Sequence, residues 1–183
     1  AAMFGANDVT VVAVATVLGQ KPAAGAALAA WAAGSFLAAL AYGSRSWGWP
    51  LWKQLAAGAL ALALGASTFT VAPNLAVLSA LYVLTGLAIA PTITSGNNIV
   101  QVTVAPSQLT EGLAWVSTAL NIGVSLGSMA AGRVLDASGS RGGYLLVAGF
   151  AWIGAAVTAG SLRVLRRARA HCRIPLEGLA DQR

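Results

Sequence analysis

The sequence predicts an all-α, polytopic membrane protein with six transmembrane helices, and three observations carry that prediction. Apolar residues make up 57% of the 183 positions and charged residues only 9%, with a mean hydropathy of +0.74. A water-soluble domain carries about a quarter charged residues, because its surface needs them. Apolar runs of about 20 residues, the length that crosses about 30 Å of hydrocarbon as a helix, recur along the chain. Those runs are continuously apolar and rich in Ala and Gly. This excludes the alternating pattern of a membrane β-barrel and suits close helix–helix approach in lipid.

Taken in order, the spans cover about 2–18, 23–42, 51–71, 75–104, 109–135 and 143–162, with polar or Gly/Pro breaks between them. The first closes at Gly19-Gln20-Lys21-Pro22, and the second is followed by Gly43-Ser44-Arg45-Ser46. The third stops at Ala72-Pro73-Asn74 and the fourth at Ala105-Pro106. The fifth ends at Asp136-Ala137-Ser138-Gly139. Residues 1–165 thus form one six-helix transmembrane unit, and 166–183 a basic tail. In the fifth span Gly123, Gly127 and Ala131 have small-xxx-small spacing, which points to packing. Glu111 suits the N-terminus of that span, and Arg133 and Asp136, three apart, are expected to form a local ion pair.

Orientation follows from the bases. Five of the eleven, Arg163, Arg166, Arg167, Arg169 and Arg173, lie in one short stretch after the last apolar run, where such a cluster fixes topology and meets anionic headgroups. With that tail inside, the break holding Arg45 and Lys53, the Ser107–Glu111 turn and the N-terminus also face the cytoplasm. Lys21, the Pro73-Asn74 turn and the turn with Arg141 face outward. The expectation is a multi-pass protein of the cell (inner or plasma) membrane with both ends cytoplasmic. Trp47, Trp49 and Trp52 cluster where aromatic rings anchor at headgroup depth. The net charge of +6 is thereby accounted for without nucleic acid.

Enzyme chemistry finds no inventory. Cys172 is the single cysteine and His171 the single histidine, so neither a disulfide within the chain nor a metal cluster can be assembled. Ser95 lies within a span, but the sole histidine is in the tail and cannot serve it as a base. No cofactor is implied.

Two spans carry polar groups at depth. Asp8 precedes Lys21 by thirteen residues, about 20 Å of helix, which sets it near mid-membrane. A carboxylate there costs on the order of 3 kcal/mol and belongs in a protein interior or a wet cavity. It reads as a proton-carrying or substrate-charge residue with Asn7 beside it. The alternative is a solvated carboxylate near the cytoplasmic edge. In the fourth span Pro91, Thr94, Ser95, Asn98 and Gln101 recur at spacings of three or four, on one helical face. Pro91 removes a backbone hydrogen bond and Gly96 loosens the helix after it. Such a face either meets a permeant molecule or joins helices by hydrogen bonds of about 0.6 kcal/mol each.

The order of these features resembles the C-terminal half of a major facilitator superfamily transporter, in particular its actinobacterial efflux-type members. The matching stretches are Asp8-Val9-Thr10-Val11-Val12-Ala13, Tyr42-Gly43-Ser44-Arg45, Leu87-Ala88-Ile89-Ala90-Pro91-Thr92 and Leu109-Thr110-Glu111-Gly112-Leu113-Ala114-Trp115, running on through Gly123 and Gly127 to Gly132 and Asp136. Gly43-Ser44-Arg45 lacks the acidic residue and most of the basic run of the family's cytoplasmic loop motif. The resemblance implies half of a twelve-helix carrier whose two halves rock about a central site. The first and fourth spans of this half would line that site. It implies proton-coupled efflux of small organic molecules, with Asp8 coupling the proton and Asn7, Asn98 and Gln101 meeting substrate. It also implies an N-terminal six-helix half as partner, and the short first span and the start at Ala1 rather than Met agree with a piece of a longer protein. The rival is a stand-alone six-helix scaffold or regulatory subunit without transport.

Overall fold

The computed structural model describes residues 1–44, 48–72 and 74–171. Arg45, Trp47, Pro73, Cys172 and Arg173 lie outside the described residues, as does the tail from 172 onward. Among the described residues every regular element is helical: α1 (Ala2–Val17), α2 (Lys21–Gly43), α3 (Leu51–Thr68), α4 (Leu75–Gly86), α5 (Ile89–Thr103) and α6 (Leu109–His171). Short 3₁₀ turns at Phe69–Val71 and Pro106–Gln108 extend α3 and precede α6. Pro22 sits in the first turn of α2, where its missing N–H costs nothing. The Asn74 side chain accepts from the Val77 N–H at 2.9 Å and caps α4.

Four helical stretches are long and apolar enough to cross a membrane, namely Lys21–Gly43, Leu51–Val71, Leu75–Thr103 and Pro106–Ser161, and the apolar α1 is shorter. The six separate spans expected from sequence are therefore revised at two places. The fourth is divided into α4 and α5 at Leu87–Ala88, four residues before Pro91. A proline ring clashes with the carbonyl of residue i−4 and leaves it without its helical donor, so the interruption stands where Pro91 puts it. The expected fifth and sixth are one helical run of 63 residues, interrupted only at Gly139 (φ 65, ψ −164). That backbone conformation is essentially reserved for glycine. The run doubles back there. Val116 and Leu120 line the same cavity as Gly154 and Thr158, whereas Leu120 and Gly154 would stand about 50 Å apart in a straight helix. One glycine replaces the polar loop that the sequence led us to expect.

Small residues set the packing. A Cβ on Gly127 would overlap the carbonyl of Ala2, and one on Gly5 would overlap the carbonyl of Val124. Backbone therefore lies on backbone between α1 and α6, and the Ser128 hydroxyl donates to the Gly5 carbonyl at 3.1 Å. Ala131, the third member of the small-residue stripe, is fully buried. Gly34 and Gly86 play the same part between α2 and α4. Arg133 and Asp136 are both exposed and form no ion pair with each other among the described residues.

An aromatic column runs through the centre. Phe4 meets Trp31 at 5.6 Å between ring centroids, Trp31 meets Tyr82 at 5.1 Å, Tyr82 meets Phe69 at 4.7 Å, and Phe69 meets Tyr144 at 6.1 Å. These rings come from α1, α2, α4, the turn after α3 and the second limb of α6, so one file of side chains ties these five segments together. Outside it, large apolar side chains such as Phe36, Leu64, Trp115 and Ile153 are exposed. A surface of that kind suits hydrocarbon rather than water.

Candidate functional site

Asn7 and Asp8 are neighbours on α1 and face different surroundings. Asn7 is fully buried, and its Oδ1 accepts from the Tyr82 hydroxyl at 2.7 Å. Asp8 is exposed and lies in an open groove of about 410 Å³ with Phe4, Leu28, Trp31, Ala32, Ser35, Ile89 and Ile93. The groove belongs to α1, α2 and α5, the last being the inner part of the fourth expected span. Ala32 is the midpoint of Lys21–Gly43, so Asp8 stands level with the middle of α2. The rest of that wall carries no charge.

The polar face of α5 is divided by the structure. Ser95 is fully buried. Its hydroxyl lies 3.3 Å from the Tyr42 hydroxyl and donates to Gln54 Oε1 at 3.5 Å. Tyr42 also donates to Gln54 Oε1, and Gln54 Nε2 donates to the Trp49 carbonyl at 2.6 Å. This network joins the end of α2, the start of α3 and the middle of α5. Pro91, Thr94 and Asn98 are half-buried and Gln101 is exposed.

A cavity of about 400 Å³ opens on a neighbouring face of α5, between α1, α3 and both limbs of α6. Thr92, Asn97 and Thr158 are its polar groups, and Met3, Leu62, Leu120 and Phe150 are among its apolar walls. Thr94, Asn98 and Gln101 do not line it, nor do they line the Asp8 groove. Sequence reasoning fixed which α5 residues share a face but passed over Asn97, one position from Asn98 and about 100° away around the helix. It also missed Gln54, Tyr42 and Tyr82. Their one visible signal was a hydrogen-bonding group standing inside or beside an apolar run.

A third cavity, about 510 Å³, lies where three breaks meet. Leu18, the Thr70–Ala72 turn with Asn74, and Ser140 with Arg141 all line it, together with Tyr144. These are the breaks that the charge pattern assigned to one side of the membrane. Among the described residues no group of three or more His, Cys, Asp or Glu could hold a metal. No known protein family, curated protein or solved structure matches the chain.

Proposed function

We propose that the chain is a six-span half of a secondary active transporter of the major facilitator type, exporting small organic molecules by proton antiport. On this reading the doubled-back α6 supplies the fifth and sixth spans, the α4–α5 pair is the fourth, and both ends are cytoplasmic. The observation that carries the proposal is Asp8. It is a carboxylate at mid-depth in an otherwise uncharged groove, on a face shared by the first and fourth spans. A charge held at that depth is costly, and a groove open to water or substrate is where such a residue serves transport. The cavity beside Asn97 supports the same reading, since its volume and mainly apolar lining are those of small-molecule sites.

The partner half would close the Asp8 groove. The intact mass of the native polypeptide tests this: about twice 18.3 kDa is expected of a two-half carrier. In the complete protein, Asp8→Asn is expected to insert normally and to lose proton-linked efflux from inverted vesicles. Unchanged coupling in that variant would overturn the role given to Asp8.

A scaffold without a permeation path is the second reading, and one observation favours it. Ser95 is buried and bonded inside the bundle, as a helix-joining group would be, and Asn7 Oδ1 is bonded to Tyr82. It expects Asp8, Asn98 and Gln101 to be replaceable without a transport phenotype.

A further inference from the structure

Asp8 is a carboxylate without a cation. Among the described residues it forms no ion pair and no hydrogen bond, and no basic side chain lines its groove. Charged groups at depth in a membrane pair with one another or mark the path of a charged solute. What surrounds Asp8 is aromatic and aliphatic. Phe4 stands one turn before it on the same face of α1. The Phe4 and Trp31 rings, 5.6 Å apart between centroids, both line the groove. An aromatic face attracts a cation within about 6 Å of the ring centroid, more strongly once the cation is desolvated, and quaternary ammonium groups are recognised in this way.

The groove has a neighbour. Phe4 and Ile93 line both it and the cavity beside Asn97, so the two spaces share a wall. Along α1 the lining passes from Asp8 to Met3, about 8 Å of helix, and along α5 from Ile89 to Asn97, about 12 Å. The cavity therefore continues the groove toward the N-terminal end of α1. No charged side chain lines it. The Thr92 and Thr158 hydroxyls already donate to the carbonyls of Ala88 and Gly154, at 2.6 and 2.8 Å. Asn97 has no hydrogen bond among the described residues. Gly96 and Gly154 leave room in this cavity, since a Cβ on either would meet nothing within 4 Å.

We propose that groove and cavity are two parts of one binding site for an amphiphilic organic cation, an amine or quaternary ammonium with an apolar body about 10 Å long. The cationic head lies against Asp8, Phe4 and Trp31. The body passes Phe4 and Ile93 into the apolar cavity, where the free Asn97 carboxamide meets a polar group at its far end. An anion is repelled by Asp8, and a neutral molecule leaves the carboxylate unpaired. The inference rests on the reading of the chain as an exporter and narrows what it exports.

Binding is read directly, on the complete protein in lipid nanodiscs with empty discs as the blank, by equilibrium dialysis. The probes are 4-phenylbutyltrimethylammonium, the shorter benzyltrimethylammonium, and the uncharged tert-butyl isostere of the first. The long cation is expected to bind more tightly than either of the others. Asp8→Asn is expected to weaken it by about tenfold, or about 1.4 kcal/mol. Gly96→Leu and, from another helical segment, Gly154→Leu fill the cavity. Each is expected to weaken the long cation several-fold and to leave the short one unchanged, and that retained binding reports a folded variant. Equal binding of the isostere, or no loss in Asp8→Asn, would overturn the cationic class. Undiminished binding of the long cation in both glycine variants would overturn the joint site. No cation binding in a protein whose proton-linked efflux still requires Asp8 would overturn the inference and leave the exporter. Cation binding by a complete protein that moves no solute would overturn the exporter and leave the site.

Discussion

At the scale of single residues, depth and company decide what a polar side chain does. Gln54 shows the structural use. Its carboxamide accepts from Tyr42 and Ser95 and donates to the Trp49 carbonyl, so one side chain joins three helices at 8% exposure. Interhelical bonds in lipid contribute about 0.6 kcal/mol on average and up to about 1.7. Gln54→Leu keeps the volume and removes all three. It is expected to lower stability by about 1–2 kcal/mol, read as a shift of the unfolding midpoint in mixed micelles. Asp8 is the opposite case, a charged group facing open space in an apolar wall, and its substitution is expected to change coupling while leaving stability in place. The sequence made Asp8 and Ser95 visible because each interrupts an apolar run. It did not reveal that Ser95 meets Tyr42 and Gln54, because nothing in a single chain says which distant helices will be neighbours. Periodicity likewise gives a face relative to its own helix but not its direction in the bundle. That is why Asn98 was picked and Asn97 reaches the cavity.

At the scale of elements, helix bounds were largely legible and helix breaks were not. Apolar length is set by hydrocarbon thickness, so α1, α2 and α3 with its 3₁₀ extension begin and end within a few residues of the apolar runs. Breaks inside the runs depend on local backbone chemistry. Pro91 announces a disturbance but acts four residues earlier, at Leu87. Gly139 was read as one residue of a polar break running from Asp136 to Arg141 and is instead the whole turn. Gly139→Ala forces a side chain into a backbone conformation that only glycine adopts freely, and is expected to cost about 1–3 kcal/mol. Gly149→Ala, at a helical position with open space beside it, is the matched control and is expected to be neutral or slightly stabilising. Gly127→Leu attacks packing rather than conformation. Its side chain would have to displace the Ala2 backbone, so α1 is expected to separate from α6. Faster hydrogen exchange confined to the first turns of α1, with α2 to α4 unchanged, is the readout.

At the scale of the whole molecule, the alternation of breaks between two ends ties fold to orientation. Residues 18, 70–74 and 140–141 converge on one cavity, and Tyr42, Trp49 and Gln54 meet elsewhere through their hydrogen bonds. The bundle alone does not say which end is cytoplasmic, and the proposed orientation rests on the charges. Lys53 belongs with the second end, whereas Lys21 and Arg141 belong with the first, and the arginine-rich sequence after Leu162 makes the second end the one proposed to be cytoplasmic. Single cysteines in a Cys172→Ser background separate the two claims. Thr70→Cys and Ser140→Cys are expected to react with a membrane-impermeant maleimide added outside intact cells, and Ser44→Cys only after permeabilisation. If Thr70→Cys and Ser140→Cys both react only after permeabilisation, the bundle stands and its orientation is reversed. If the two react from opposite sides, the hairpin at Gly139 is wrong, and with it the sixth span and the cavity that Tyr144 shares with Leu18. The Gly139 turn is therefore the feature on which orientation and span number jointly depend, and this labelling pair tests it without any knowledge of the substrate.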